Sequence, residues 1–175
     1  MALYKTRAIV IKSFNLSESD RLITFMTEYH GKVKCVAKGA RKIKNRFWGA
    51  LEPMSFINLI YFGKEHQSLF RLNNSDIIES FHTIRDDFDK LYTGVYFIDL
   101  IDSMVLEGHP EKKIFGLLYQ SLAALDLQTE LEPLRRLFEL RLLSLSGYAP
   151  QLDHCVLCKN LPQYNMIPFS YAHNG

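Results

Sequence analysis

Two groups of residues in this 175-residue chain have types and spacing that could do chemistry. The first is a basic run. Between Glu28 and Glu52 there is no acidic residue, and Lys32, Lys34, Lys38, Arg41, Lys42, Lys44 and Arg46 crowd the middle of that interval. The whole chain has a formal net charge of +2 and these seven side chains supply +7, so the remainder sums to −5. A nearly neutral protein that gathers its positive charge in one place presents a field that draws polyanions, and nucleic acid binds such a patch by phosphate neutralisation and counterion release. The plain alternative is a solvated face with incidental lysines. The missing acidic counterparts weigh against it, as do Gly31, Gly39 and Gly49, which let the backbone bend. Phe47 and Trp48 follow the run directly. Either ring could stack on a base, adding ~1–3 kcal/mol each, or could fill the core instead.

The second group is Cys155-Val156-Leu157-Cys158, a C-x-x-C in a polar segment bounded by proline. Two thiolates at this spacing can hold one metal ion and make half of a tetrahedral zinc site. A redox C-x-x-C would call for a βαβ setting, which is absent here. Cys35, the third cysteine, falls inside a strand pattern and reads as a small buried hydrophobe. Enzyme chemistry finds less to build on. Asp86, Asp87 and Asp89 cluster, and Asp99 and Asp102 share a helix face, so carboxylates for Mg²⁺ could assemble as in a metal-dependent nuclease. Acids at a helix start or on its polar face are commonplace, however. No Ser-His-Asp set, Walker loop or GxGxxG accompanies them. The chain therefore reads as a binding protein rather than an enzyme.

The elements that must position these groups change period along the chain. Arg7–Phe14, Leu22–Tyr29, Lys32–Ala37, Leu51–Phe62 and Gln67–Leu72 are rich in β-branched and aromatic residues and predict five strands, with His30-Gly31 as a hairpin turn and Asn73-Asn74 ending or bulging the last. Five short strands with a Gly-rich basic loop after the third suit a small closed barrel. An OB-type barrel, which binds oligonucleotides on one face, fits the length, and SH3-like barrels fit almost as well. Lys32 and Lys34 fall within the third strand, so the loop from Lys38 to Arg46 is the larger part of the expected contact. From about Ser80 the period becomes helical. Phe88, Leu91, Val95, Ile98, Ile101 and Val105 form one stripe; Ile114, Leu117, Leu118, Leu122 and Leu125 a second; Leu134, Leu137, Phe138, Leu142 and Leu145 a third. Thr129-x-x-Glu132 has the form of a capping box ahead of the third helix, and Gly147 and Pro150 end it. The fold class is thus α+β in two parts: a five-stranded OB-type β-barrel over residues 1–80, then a helical bundle over 81–175 that carries half of a zinc-ribbon-like motif at 150–175. No apolar run reaches the ~20 residues needed to span a bilayer, and the N-terminus lacks a signal-peptide h-region, so a cytoplasmic location is expected.

In this order the pieces resemble RecO, the bacterial recombination-mediator family of DNA repair. The likeness is carried by Thr6-x-Ala8-Ile9-Val10-Ile11, Ser19-Asp20-Arg21-Leu22, Thr27-Glu28-Tyr29-His30-Gly31-Lys32, Val36-Ala37-Lys38-Gly39-Ala40-Arg41-Lys42, Leu51-Glu52-Pro53, Phe138-Glu139-Leu140-Arg141-Leu142-Leu143, and Gly147-Tyr148-x-Pro150 followed by Cys155-x-x-Cys158. It covers residues 4–160. The resemblance implies an N-terminal OB-fold, a helical domain, and a zinc site completed by a second C-x-x-C further on. The sequence stops short of such a pair, so it reads as a C-terminally shortened piece in which zinc binding by Cys155 and Cys158 is doubtful. The resemblance also implies binding to single- and double-stranded DNA and annealing of complementary strands. It implies RecR and the single-strand-binding protein SSB as partners, and help in loading RecA. Arg135, Arg136 and Arg141 could then receive the acidic tail of SSB, unless they pair with Glu130, Glu132 and Glu139 at helical spacing. A protein-interaction module with an incidental basic loop is the alternative function.

Overall fold

A computed structural model describes residues 2–42, 45–47, 49–64, 67–160 and 169–175; Lys44 and Trp48 lie outside them. Among the described residues five strands come first: β1 (Ala2–Asn15), β2 (Arg21–Thr27), β3 (Gly31–Ala37), β4 (Phe56–Gly63) and β5 (Phe70–Glu79). They hydrogen-bond in a closed ring, β1-β2-β3-β5-β4 and back to β1. β1 can join two neighbours because its first half pairs with β4 (Ala2↔Gly63 to Ile9↔Phe56) and its second half with β2 (Ala8↔Thr27 to Asn15↔Arg21), with a register shift between Val10 and Lys12. The last junction is the weakest. β3 and β5 run parallel and pair only at Cys35↔Phe70 and Val36↔Arg71.

Alternating residues fill the ring's interior, among them Val10, Phe25, Cys35, Leu59, Tyr61 and Leu72. On its outer side Ile9, Ile11, Met26 and Phe56 join the helices in a second core. That explains why Ala8–Ile11 is an unbroken apolar run: its residues are buried on both faces of the sheet. Two strands differ from the sequence expectation. β4 starts at Phe56 rather than Leu51, because residues 51–54 form a turn with Met54 at φ 69°. β5 begins at Phe70 and runs on past Asn73-Asn74, which is a bulge: Tyr61 faces Leu72 while Ile60 faces Asn74.

Among the described residues four helices follow rather than three: α1 (His82–Asp86), α2 (Phe88–Met104), α3 (Lys112–Leu127) and α4 (Leu131–Leu145). α1 is a little over one turn long, too short for a periodic stripe to announce it. The buried stripe of α2 runs through Gly94, Phe97, Ile98 and Ile101; Phe88 is 81% exposed and Val95 also faces solvent. The stripe is turned this way because Phe97 stacks on Phe138 of α4 with centroids 4.1 Å apart. Gly94 brings bare backbone against Met54, where a Cβ would lie 2.4 Å from the sulfur. The capping box does not form. Glu130 is the N-cap of α4 and makes no side-chain cap bond, which leaves Thr129 one residue too early. Arg85 ties the two parts together by donating to the carbonyls of Pro53 and Ser80 and to the Ser55 hydroxyl.

Candidate nucleic-acid interface

The basic loop leaves β3 at Lys38 and is held by the turn that joins β1 to β2. Asp20 is the anchor. Its Oδ1 accepts from the Gly39 N–H at 2.9 Å and from the Ser19 hydroxyl at 2.8 Å. Gly39 adopts φ 72°, a conformation that glycine reaches without steric cost. The Arg41 N–H donates to the Ser19 carbonyl at 3.0 Å, and its guanidinium donates to the Ser17 carbonyl at 2.6 Å. The Asp20 carboxyl sits below the usual carboxylate range, first because of the Gly39 N–H, then the Ser19 hydroxyl, with the charges of Lys38 and Lys42 adding to both. A single carboxylate thus fixes the loop's entry without neutralising the lysines, since neither comes within salt-bridge distance of it. Further on, the Asn45 amide accepts from the Phe47 N–H and donates to the Lys42 carbonyl.

Lys38, Arg41, Lys42 and Arg46 are all exposed. Among the described residues none of the four makes a salt bridge. Of the four, Arg41 lines an open cleft of about 590 Å³ together with Asn15, Arg21, Asn45 and Glu52, with Arg21 paired to Glu52 at 2.9 Å. Sequence reasoning missed Asp20 as the anchor. The available signal was an Asp just before a strand and a glycine in a distant turn, which becomes informative only when the two turns meet.

Three expected contacts are corrected. Lys32 is buried at 8% exposure, and its ammonium donates to Asp102 at 2.8 Å and to the Asp102 carbonyl at 2.6 Å. Lys34 is paired with Glu107. Both lysines point toward the end of α2 and the segment that follows it; Lys32 is buried and offers no free charge to phosphate, while Lys34 is held in a half-exposed ion pair. Phe47 is buried at 3% exposure in the interior of the ring, with the Arg46 guanidinium 4.8 Å from its centroid, so it presents no face to a base. Lys44 and Trp48 lie outside the described residues.

Asp102 also receives Lys12 at 2.6 Å. Desolvation is the largest single influence on its carboxyl and pushes it up, but the hydrogen bonds and charges of Lys12 and Lys32 together outweigh that and hold it below the ordinary range. A carboxyl depressed by folding stabilises the fold above its unfolded pKa and loses that contribution as pH falls through the folded value. Asp102→Asn should therefore lower the urea midpoint between pH 6 and 8 by about 1–3 kcal/mol equivalent. The gap from wild type should begin to narrow as pH falls below about 4, the ordinary aspartate value, and close only at the lower pH where the folded carboxyl takes up its proton. A gap that persists unchanged to pH 3 would rule out this role for the charge.

Two of the five carboxylates considered for a metal-dependent reaction are otherwise engaged. Asp102 is held by two lysines, and Asp87 caps α2 by accepting from the Lys90 N–H at 2.9 Å. Among the described residues no three His, Cys, Asp or Glu side chains come together as a metal group. Of the helix-α4 arginines, Arg136 pairs with Glu132 and Glu139 at 2.9 and 2.6 Å, and Arg135 donates to the Thr93 hydroxyl at 3.0 Å. Arg141 is exposed beside the half-exposed Leu137 and Leu140.

Cys155 and Cys158 are both exposed and form one tight turn. The Lys159 N–H donates to the Cys155 carbonyl, and the Cys155 N–H donates to the Asn160 carbonyl, both at 2.9 Å, with Lys159 at φ 62°. The Cys155 thiol is lowered by the backbone N–H groups of Cys158 and Leu157 and then by the Cys158 thiol. Backbone donors aimed at sulfur favour thiolate, the form that binds metal. The pair therefore fits two corners of a zinc site. Cys35, buried within the ring and pushed up to about 12, does not belong to it.

Comparison with known proteins places these features in one setting. The model of the family described as "Recombination protein O N terminal" matches residues 1–81, and "Recombination protein O C terminal" matches residues 85–172. Proteins named "DNA repair protein RecO" are similar over nearly all of the chain. The one from Syntrophus aciditrophicus is 38% identical, covering 99% of this chain and 68% of that protein. The one from Acetivibrio thermocellus is 36% identical, covering 100% and 69%. The one from Myxococcus xanthus is 36% identical, covering 100% and 71%.

Proposed function

The chain belongs to the RecO family of DNA repair proteins, and on that premise we propose that it binds the backbone of single- and double-stranded DNA through the basic loop and anneals complementary strands. The observation that carries this is the set of four exposed cations, Lys38, Arg41, Lys42 and Arg46, on a loop anchored by Asp20 with no acidic partner among the described residues. Phosphate contacts of this kind set affinity and register without reading sequence. Annealing needs no catalytic group: screening lets two strands approach, and base pairing supplies the driving force. The closed five-strand ring, with its parallel β3–β5 junction, supports reading residues 1–80 as an OB-type barrel with residues 81–175 as a helical domain beside it.

Four phosphate contacts predict that log K for single strands falls with log salt at a slope of roughly −3. The test is fluorescence-anisotropy titration of an oligonucleotide over a range of salt, followed by annealing of complementary strands with and without Mg²⁺. No binding at low salt would leave a protein-interaction module. Mg²⁺-dependent cleavage would point to a nuclease.

The further roles that family membership suggests belong to the same proposal: partnership with RecR, reception of the acidic SSB tail, and help in loading RecA on SSB-coated DNA. On α4, Arg141 beside Leu137 and Leu140 is the best-supported tail contact, because Arg135 and Arg136 already have partners. Zinc is proposed for Cys155 and Cys158 as two of four ligands, where it would have a structural part in cross-linking the segment after α4.

A further inference from the structure

The ring is closed by only a short junction on one side. β5 begins only at Phe70, opposite Cys35, so the first half of β3 pairs with β2 but has no strand on its other edge. The segment joining α2 to α3 comes up instead: Glu107 bridges to Lys32, and the Gly108 N–H donates to the Lys32 carbonyl at 3.0 Å. This segment spans the gap without filling it. A cavity of about 580 Å³ remains, lined by Tyr4, His30, Tyr61, Phe70, Gln67 and Glu107. That is within the ~300–1,000 Å³ range of small-ligand sites.

The lining is aromatic to an unusual degree for this chain. Tyr4 and Tyr61 stack with centroids 5.0 Å apart, Phe70 meets both edge-on at 5.9 and 5.1 Å, and His30 meets Tyr4 edge-on at 5.3 Å. Tyr61 is buried beneath, whereas Tyr4, His30 and Phe70 are each partly exposed. The His30 Nδ1 is buried and has no hydrogen-bond partner among the described residues. A buried polar atom without a partner is costly and uncommon, and a ligand with edge donors and acceptors would satisfy it. Flat aromatic walls with one unpaired ring nitrogen suit a planar heterocycle, while the Gln67 amide and Glu107 carboxylate at the rim are already held by Lys64, Leu69 and Lys34. The cavity also lies at the start of β3, while the basic loop leaves its end. Seven residues of strand separate them by about 20 Å, within reach of a single bound strand.

We propose that this cavity takes one unstacked nucleobase of a DNA strand whose backbone lies on the basic loop. This rests on the DNA-binding reading above. The test compares an oligothymidylate of about 15 residues with a base-free strand of the same length and charge. The wild-type chain should bind the base-free strand roughly 5- to 100-fold more weakly. Tyr4→Leu and Phe70→Leu should bind the two strands alike; each also removes packing on Tyr61, so urea unfolding must show the variant folded under the binding conditions. Photo-crosslinking of an iodouracil-substituted strand to the unmutated chain, mapped by mass spectrometry, should mark Tyr4, His30 or Phe70, and this readout stands even if a variant fails to fold. Equal wild-type affinity for both strands would overturn the cavity proposal and leave phosphate binding intact. Cross-links found only elsewhere would overturn it as well, as would a base preference that survives both substitutions. Failure to bind either strand at low salt would sink both readings together.

Discussion

The triple substitution Lys38→Glu, Lys42→Glu, Arg46→Glu should weaken single-strand binding about a hundredfold or more at ~0.1 M salt, by removing three phosphate contacts and adding three repulsions. Arg41 is left in place because its guanidinium holds the Ser17 carbonyl, so replacing it would confound loop geometry with charge. The loss should be uniform across sequences, and the salt slope should flatten by roughly 2. Lys34→Met, tested alongside, should change affinity less than about threefold, because Lys34 is already paired with Glu107. Anisotropy titrations of several unrelated oligonucleotides measure all of this. If Lys34→Met costs as much as the triple substitution, the contact surface is the sheet and not the loop.

Gly31→Ala should be the most damaging single change to the fold, at about 3–5 kcal/mol. Two penalties coincide there. Gly31 has φ 66°, and an added Cβ would lie 2.0 Å from the His109 carbonyl oxygen, with the His109 carbonyl carbon and nitrogen at 2.5 and 2.8 Å. All three are backbone atoms, so no side chain can swing aside. The connecting segment would have to leave β3, breaking the Gly108–Lys32 hydrogen bond and straining the Lys32–Asp102 and Lys34–Glu107 pairs. Gly108→Ala is the control. It has a similar φ of 72° with nothing within 4 Å of the added carbon, so it should cost only about 1 kcal/mol. Urea unfolding of both variants decides the matter; equal losses would mean that only backbone strain is at work.

The basic run was visible in the sequence because its evidence is local: seven cations in one short interval without an acid need no partner to be noticed. What the sequence did not reveal is which of those cations are already committed. Lys32 meets Asp102 across 70 residues, and no window of the chain contains both. Phe47 reads equally well as a stacking ring or a core ring until the loop's path over the ring's interior is known. Strand identity in β1 was clear from its β-branched run, but its length was not. Its first residues are held by pairing with β4 rather than by any apolar pattern of their own. The α2 stripe was read correctly at Ile98, Ile101 and Val105 and wrongly at Phe88 and Val95, because Gly94, which has no hydrophobic signal, is what packs closest in the middle of the helix.

The two-residue β3–β5 junction makes the boundary between sheet and helices less natural as a place to divide the chain than the sequence suggests. A fragment ending after Glu79 would keep all five strands yet lose the α2–α3 segment that satisfies the Lys32 carbonyl and shields the start of β3. It would carry a short raw edge of unpaired backbone groups beside an aromatic hollow, the kind of edge that recruits strands from neighbouring molecules. The helices after the sheet therefore act partly as its missing hem.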